Sequence, residues 1–466
     1  MKRAMILSKE DKKYLWHPFT QQWEWERSIN EKPLVIERGN GNYLYDTSGR
    51  KYFDGVSSLW ANLHGHRNPA IDRAIKQQLA KVAHSTFLGL THEPGIRLAE
   101  ELVKIAPKGL SRVFYSDNGS TAVEVALKMA FQYHAQKKGG KARPVFLSLK
   151  ESYHGDTLGA VSVGGIDLFH EKFAPLLFKR ETAMSPHCHR CPHNRSQIRH
   201  SFYGYRGEKP MPGDFRKETG CRWECLAEVE NKLKKNKGKI AAAILEPVVQ
   251  GAAGIRAAPP GYLWGFARLC KKYGTLLIAD EVATGFGRTG KAFACEQENV
   301  SPDILCLAKG ISGGYLPLAA TLATETIYRA FLGKCEEFKT FFHGHTYTAN
   351  PLACAAGLAS LSLLKQKLSG ARLKRIISVL RKGLERIAKL PQVSHVRAAG
   401  LMAGIELVPF HPSERIGKKI CMRLRKLGVL LRPLGDVLVL MPPLSSSETE
   451  IKDLTDMIDR AIRAET

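Results

Sequence analysis

Short apolar runs that alternate with helical segments constrain the fold of this chain more than any other feature. The runs are Val113–Tyr115, Val145–Leu147, Ala241–Leu245, Leu276–Ala279 and Ile304–Leu307. Apolar residues at helical spacing, such as Ile71, Ile75 and Leu79, lie outside them. Short, continuously apolar runs separated by helices predict buried, mostly parallel strands. The middle of the chain is therefore predicted to be an α/β layered domain.

The two ends of the chain show a different pattern. Residues Glu37 to Asp54 alternate apolar and polar side chains around turn signals, which predicts a small antiparallel meander. After Pro351 come long helical stretches, followed by strand-like runs at Leu401–Leu407 and Val437–Leu440. We expect both ends to form one smaller α+β domain beside the large one. The predicted boundaries are 1–57, 58–348 and 349–466.

An insertion is predicted within the large domain at 185–223, where the periodicity fails. It contains Cys188 and Cys191 and ends near Cys221 and Cys225. Such pairs can form a thiolate site for zinc or an iron–sulfur cluster, and the alternative is four unliganded thiols that pack a loop. No metal ligand is included among the predicted site residues.

A carboxylate and an amine follow two of the predicted strands. Asp280 ends the run that starts at Leu276, and Lys309 follows the run that starts at Ile304. Open α/β sheets bind ligands at the carboxyl ends of their strands. A strand-end ion pair is the simpler alternative, but three glycines between 310 and 314 allow a ligand to approach the backbone closely. Lys309 is therefore a candidate Schiff-base amine.

A third strand leads into a Gly-Ser turn and a helix. The run Arg112–Tyr115 is followed by Ser116-Asp117-Asn118-Gly119-Ser120-Thr121 and then by a helical pattern. A helix N-terminus with free N–H groups and hydroxyls is suited to a phosphate, although Ser or Thr here can also be a simple cap. A phosphate site, a lysine for an aldehyde and an aspartate for a ring nitrogen together indicate pyridoxal 5′-phosphate.

Six motifs resemble those of the class III aminotransferases. They are Trp16-His17-Pro18-Phe19-Thr20-Gln21, Ser116-Asp117-Asn118-Gly119-Ser120, Tyr153-His154-Gly155-Asp156-Thr157, Glu246-Pro247-Val248-Val249-Gln250-Gly251, the run from Asp280 to Gly290, and His343-Gly344-His345-Thr346. The resemblance extends from about Tyr14 to Pro443. The first of these motifs, together with the run Arg432-Pro433-Leu434-Gly435-Asp436, narrows the resemblance to the aminotransferases of biotin biosynthesis. It implies fold-type I of the pyridoxal-phosphate enzymes.

The resemblance also implies roles for the residues of the cofactor site. Lys309 binds the cofactor and moves a proton, Asp280 pairs with the pyridine nitrogen, and Tyr153 stacks on the ring. Gly119 and Ser120 hold the phosphate. The segment Gly344-His345-Thr346 reaches the phosphate of the neighbouring subunit, which implies a homodimer with shared active sites.

The substrate residues implied by the resemblance are Phe19, Trp60, Tyr153, Gly344 and Arg432. Arg432 binds the substrate carboxylate, and Trp60 lines an apolar channel unless it is simply a core tryptophan. The expected acceptor is 8-amino-7-oxononanoate. Because Phe19 occupies a position where S-adenosylmethionine users typically carry Tyr, the donor is either S-adenosylmethionine, which we place first, or lysine. Another ω-aminotransferase activity is the remaining alternative.

The charge balance raises a separate question about partners. The chain has 70 Lys and Arg against 44 Asp and Glu, a formal net charge of +26. A nucleic-acid-binding protein would be one explanation, but the basic clusters lack a nucleic-acid motif and interleaved aromatics. We therefore expect no nucleic-acid partner. The start of the chain has no apolar secretory segment, and no stretch reaches about 18 apolar residues, so we expect a cytoplasmic protein without a membrane partner.

Overall fold

The structure is a computed structural model that describes residues 2–27, 33–137, 139–194, 200–203 and 220–465. The predicted insertion at 185–223 therefore lies partly outside the described residues. Eighteen strands are described. They are β1 Ile36–Asn40, β2 Tyr43–Asp46, β3 Lys51–Asp54, β4 Leu110–Ser116, β5 Val145–Leu149, β6 Glu181–Ala183, β7 His200–Tyr203, β8 Ile240–Leu245, β9 Val249–Gln250, β10 Arg256–Ala257, β11 Leu276–Asp280, β12 Ile304–Leu307, β13 Ala319–Thr324, β14 Val393–Ala399, β15 Met402–Leu407, β16 Val429–Leu430, β17 Arg432–Leu434 and β18 Val437–Leu440.

Helices lie between these strands, as the periodicity predicts. They are α1 Lys2–Tyr14, α2 Gln22–Arg27, α3 Pro69–Leu79, α4 Glu93–Ile105, α5 Gly119–Gln136, α6 Leu158–Val163, α7 Asp167–His170, α8 Glu224–Lys235, α9 Tyr262–Tyr273, α10 Glu325–Arg329, α11 Pro351–Ser369, α12 Ala371–Ile387, α13 Ile416–Lys426 and α14 Glu448–Glu465. Among the described helices, none is both long enough and apolar enough to cross a membrane.

A seven-stranded sheet of order β4-β13-β12-β11-β8-β5-β6 forms the centre of the molecule. Strands β12, β11, β8, β5 and β6 pair in parallel, and β13 runs antiparallel to both β12 and β4. All six residues of β8 are buried, because helices cover both faces. Ala242 and Ile244 pack with α5 on one face, whereas Ala243 and Leu245 pack with α8 and α9 on the other. The mixed, mostly parallel α/β sheet predicted from the sequence is confirmed.

Two smaller sheets join distant parts of the chain. The N-terminal meander β1-β2-β3 is extended by β16, which pairs in parallel with β3. A five-stranded sheet of order β17-β18-β15-β14-β7 contains the C-terminal strands together with β7. The first sheet thus combines segments from both ends of the chain. The exact domain boundaries stay predictions.

The insertion contains regular structure that the sequence pattern does not predict. Residues 200–203 form β7, which pairs in parallel with β14 through Ser201↔Arg397 and Phe202↔Ala398. Phe202 and Tyr203 are buried. A four-residue strand carries too little periodicity to be recognised, and its partner lies almost two hundred residues away.

Candidate active site

A cavity of about 780 Å³ opens at the carboxyl edge of the central sheet. Asp280 ends β11, and Lys309 follows β12 by two residues. Because Asp280 is aligned with Cys306 in the parallel pair of β11 and β12, both side chains reach the same edge. Of the predicted site residues, the cavity is lined by Trp60, Gly119, Ser120, Tyr153, Asp280 and Lys309.

Lys309 is placed for a nucleophilic role. Its Nζ lies 5.0 Å from the centroid of the Trp60 ring, and its backbone adopts a positive φ of 42° at the start of the turn Lys309–Ser312. Burial lowers the pKa of the Lys309 amine, and the charge of Arg288 lowers it further, whereas Asp280 and Glu246 raise it. A lowered pKa increases the fraction of neutral amine, which is the nucleophilic form.

Asp280 is held by a histidine that sequence reasoning did not single out. Nδ1 of His154 lies 2.7 Å from Oδ2 of Asp280, and both residues are buried. Oδ1 of Asp280 accepts a hydrogen bond from the Val282 N–H at 3.1 Å. Nε2 of His154 is buried without a protein partner, and the residue lines the cavity. The motif Tyr153-His154-Gly155 contained His154, but only its position beside Asp280 reveals its function.

The start of α5 forms a polar cradle. Asn118 caps the helix by accepting a hydrogen bond from the Thr121 N–H, and the Thr121 hydroxyl accepts from the Asn118 N–H. Thr121 thus caps the helix, and its hydroxyl also donates to the carbonyl oxygen of Asn118 at 2.8 Å. A Cβ at Gly119 would lie 2.6 Å from Val282, and one at Gly155 would lie 2.0 Å from the Ser120 hydroxyl oxygen. Glycine is therefore needed at both positions of the cradle.

Tyr153 and Glu246 form the wall of the cavity beside Asp280. The Tyr153 hydroxyl donates to Asp156 at 2.7 Å, and burial raises the pKa of that hydroxyl. Glu246 follows β8 and accepts hydrogen bonds from the Tyr153 N–H at 3.1 Å and the Gly251 N–H at 2.8 Å. Burial raises the pKa of the Glu246 carboxyl to about 7. Glu246 is a second site residue that the sequence prediction left out.

Trp60 reaches the cavity through an unusual backbone segment. Residues Ser57, Ser58, Leu59 and Trp60 have positive φ angles of 51°, 48°, 69° and 74°. We call Ser57–Trp60 the left-handed turn. The left-handed region costs an L-residue about 1–2 kcal/mol, so four consecutive residues need strong support from their surroundings. Trp60 itself is buried, with its ring against Gly251.

Five predicted site residues do not line this cavity. Arg432 lies exposed on β17. Gly344 and Thr346 are also exposed, although the intervening His345 places Nδ1 2.6 Å from Oδ2 of Asp117 at the cavity wall. Phe19 is exposed but packs edge-on against Phe169 at 5.5 Å between ring centroids. Phe169 in turn lies 6.3 Å from the Tyr153 ring, so an aromatic series connects Phe19 with the cavity.

No three of the described cysteines Cys188, Cys191, Cys221 and Cys225 bring their sulfur atoms within 4.8 Å of one another. Burial raises the pKa of Cys225 to about 12, and the nearby Cys188, Cys221 and Cys191 contribute to the increase. None of the four forms a disulfide. Within the described residues, only His187, His395 and Glu406 bring three potential ligand atoms within 4.8 Å of one another. Because Arg397 and Arg190 already bind Glu406, a cation is disfavoured there.

The residues at the edge of the sheet fit pyridoxal 5′-phosphate. Lys309 supplies an amine of lowered pKa, and the carboxylate of Asp280 is fixed on one side of the cavity. The glycines at 119 and 155 let Val282 pack closely against Gly119, and Ser120 against Gly155, around the start of α5, whose N–H groups suit a phosphate. The unpartnered Nε2 of His154 leaves one buried polar atom for a ligand.

Comparison with known proteins agrees with this geometry. Residues 26–462 match the family model described as aminotransferase class-III. An adenosylmethionine-8-amino-7-oxononanoate aminotransferase of Nitratidesulfovibrio vulgaris is 50% identical, covering 100% of this chain and 83% of the relative. The crystal structure of the enzyme of that name from Methanocaldococcus jannaschii superimposes with a TM-score of 0.89 at 43% identity, over 99% of each chain.

A second solved structure bears on the cofactor. An amine transaminase from an uncultivated Pseudomonas species, solved in its pyridoxal-phosphate-bound form, has a TM-score of 0.84 at 35% identity and covers 97% of this chain and 98% of its own. The family match spans nearly the whole sequence, and the alignments cover 83% to 99% of these relatives. The chain belongs to the class III aminotransferases.

Proposed function

We propose that this enzyme transfers an amino group to 8-amino-7-oxononanoate to form 7,8-diaminononanoate in biotin biosynthesis, with pyridoxal 5′-phosphate as cofactor. The observation that carries the proposal is the convergence of Lys309, Asp280 and the start of α5 on one cavity. Full-length relatives that carry the name of this activity support it. The amino group of the donor replaces the ketone oxygen of the acceptor.

Each residue of the cavity has a defined task in this proposal. Lys309 would bind the cofactor, and its amine is placed to move a proton at the substrate carbon. Asp280 keeps the pyridine nitrogen protonated, and Tyr153 stacks on the ring. The N–H groups of Gly119 and Ser120 hold the phosphate. The bound cofactor supplies an electron sink for the negative charge that develops on the substrate carbon.

Arg432 is proposed to bind the acceptor carboxylate, for which its planar guanidinium is suited. Trp60 and Phe19 provide aromatic surface for the acceptor chain and the donor. S-adenosylmethionine is the first donor candidate. Lysine stays the alternative because Phe19 lacks the hydroxyl that a tyrosine would offer. The two donors can be separated by experiment.

The test is product formation from purified enzyme, added cofactor and acceptor with either S-adenosylmethionine or lysine. Mass spectrometry should detect 7,8-diaminononanoate with one donor, and Lys309→Ala should abolish the product. With Phe19→Tyr, we expect kcat/KM for S-adenosylmethionine to increase if that compound is the donor. Absence of product with both donors would refute the proposed substrate.

We also propose that the enzyme is a homodimer with shared active sites. Several large apolar side chains are exposed in the single chain, including Trp16 at 88%, Leu88 at 90% and Phe342 at 74%. Exposed apolar side chains of this size support a protein interface. Gly344 and Thr346, which follow Phe342 closely in the sequence, are also exposed and so accessible to a partner subunit. In this arrangement Gly344 contributes to the partner's substrate site.

Subunit mixing tests the shared site. Lys309→Ala and Thr346→Ala chains should each be impaired alone, and co-refolded mixtures should regain activity through heterodimers that contain one intact site. A mixture no more active than its components would contradict sharing. We further propose a reducing, cytoplasmic location, because none of the ten cysteines forms a disulfide, and cell fractionation can test it.

A further inference from the structure

The left-handed turn Ser57–Trp60 connects the cavity with a buried arginine. Nη2 of Arg288 donates to the carbonyl oxygens of Trp60 at 3.1 Å and Asn62 at 3.0 Å. Nη1 of Arg288 donates to the carbonyl oxygen of Pro442 at 2.8 Å. The side chain is 1% exposed. One guanidinium thus ties the end of the turn to the C-terminal part of the chain.

The beginning of the turn is fixed by a carboxylate and by the same C-terminal segment. Asp54 accepts hydrogen bonds from the N–H of Ser58 at 2.8 Å and from its hydroxyl at 2.7 Å. The Ser57 hydroxyl donates to the carbonyl oxygen of Met441 at 2.6 Å. These bonds hold residues that have no glycine to ease the left-handed conformation. They therefore supply the support that such a backbone requires.

The conformation determines where the Trp60 ring lies. Both Leu59 and Trp60 line the cavity, and the ring centroid of Trp60 is 5.0 Å from Nζ of Lys309. If the turn relaxed to right-handed backbone angles, the side-chain direction at Trp60 would change. The charge of Arg288 also lowers the pKa of Lys309, so the arginine acts on the amine by a second route.

We propose that Arg288 is the positioning residue of this active site, holding the left-handed turn and through it the Trp60 ring against Lys309. The inference rests on the proposed transfer of an amino group at Lys309. Neither Arg288 nor Asp54 lines the cavity, so they act through the turn and not on substrate directly. Lysine at 288 would keep the charge but could not bridge three carbonyl oxygens in one plane.

Two variants separate the geometric and electrostatic effects. Arg288→Lys should speed amide hydrogen exchange in residues 57–62 by about tenfold or more and raise the KM for the acceptor by a similar factor, because bonds from a charged donor are lost. It should leave the pH midpoint of Lys309 labelling by an amine reagent unchanged. Arg288→Met should shift that midpoint upward. Arg97→Lys, an exposed arginine on α4, is the matched control.

The exchange and labelling readouts need no catalytic turnover, so failure of the proposed substrate would leave them informative. Should Arg288→Lys not fold, Asp54→Ala tests the other end of the turn, with the same expected increase in exchange at 57–62. Wild-type exchange and wild-type KM in a folded Arg288→Lys enzyme would overturn the proposal. An unchanged pH midpoint of Lys309 labelling in Arg288→Met would overturn the proposed effect of the Arg288 charge on the amine.

Discussion

The Nδ1 atom of His154 lies 2.7 Å from Oδ2 of Asp280 in a buried pair at the carboxyl edge of the sheet. The Nδ1–H of the histidine donates to the carboxylate, which leaves Nε2 as a buried atom without a protein partner. A carboxylate held by one ring nitrogen and one backbone N–H has a fixed direction. His154 therefore fixes the orientation of the group that we propose to bind the pyridine nitrogen.

Replacing His154 should impair cofactor retention more than it impairs folding. In His154→Ala, Asp280 loses a hydrogen bond and is free to turn, so we expect cofactor affinity to fall about tenfold or more. Titration of the apo-enzyme by absorbance measures this affinity. His193→Ala, which removes an exposed histidine of the insertion, should bind cofactor like the wild type. Equal affinity in both variants would show that Asp280 is oriented without His154.

The raised pKa of Glu246 predicts a pH-dependent stability difference. Burial raises the pKa of this carboxyl from 4.5 to about 7. Below pH 4.5 the Glu246 carboxyl is protonated in both the folded and the unfolded protein. As the pH rises, the carboxyl of the unfolded chain loses its proton first, so the free energy of unfolding decreases until about pH 7. Relative to the wild type, Glu246→Gln should gain stability between pH 5 and 7 and show a constant difference above that range.

Thermal melting at several pH values measures the effect, with the exposed Glu448→Gln as a control that should show no such trend. The buried Glu281 carboxyl, whose pKa burial also raises to about 7, should behave in the same way when it is changed to Gln. A difference between Glu246→Gln and wild type that does not vary from pH 5 to 7 would contradict the raised pKa.

The left-handed turn makes glycine more favourable than alanine at position 59. Leu59 has a φ of 69°, and its side chain is about half exposed. Both substitutions remove the leucine side chain, but only glycine avoids the left-handed penalty, so Leu59→Gly should be about 1 kcal/mol more stable than Leu59→Ala. Chemical denaturation compares the two. An alanine variant as stable as the glycine variant would mean that the turn is not left-handed in solution.

Large parts of the fold could be predicted because the central strands are continuously apolar. The five predicted runs correspond to β4, β5, β8, β11 and β12. The sequence Ala-Ala-Thr-Leu-Ala-Thr of β13 was missed because its small and polar side chains do not resemble a buried strand. Its antiparallel position between β12 and β4 results from pairing with strands that were themselves predictable.

Some residues of the candidate site could likewise be predicted from the sequence, and others could not. Lys309 and Asp280 were found because each follows a strand, and the same rule applied to β8 would have found Glu246. The left-handed turn has no local signal, since Ser57-Ser58-Leu59-Trp60 contains no glycine. Its conformation depends on Arg288 and Met441, which are more than two hundred residues away. Such long-range hydrogen bonds cannot be read from periodicity or spacing.

The charge of Glu246 should control the reactivity of Lys309. The carboxylate raises the pKa of the Lys309 amine, in opposition to burial. In Glu246→Gln this contribution is lost, so the amine should become neutral at lower pH and the midpoint of its labelling by an amine reagent should move downward. Arg288→Met should move the same midpoint upward, because it removes a positive charge. Mass spectrometry of the labelled Lys309 peptide across a pH series measures both shifts in the cofactor-free protein. Opposite shifts in the two variants would establish that the fixed charges around the cavity set the pKa of this amine. Shifts in the same direction would instead mean that loosened packing, and not charge, changes its reactivity.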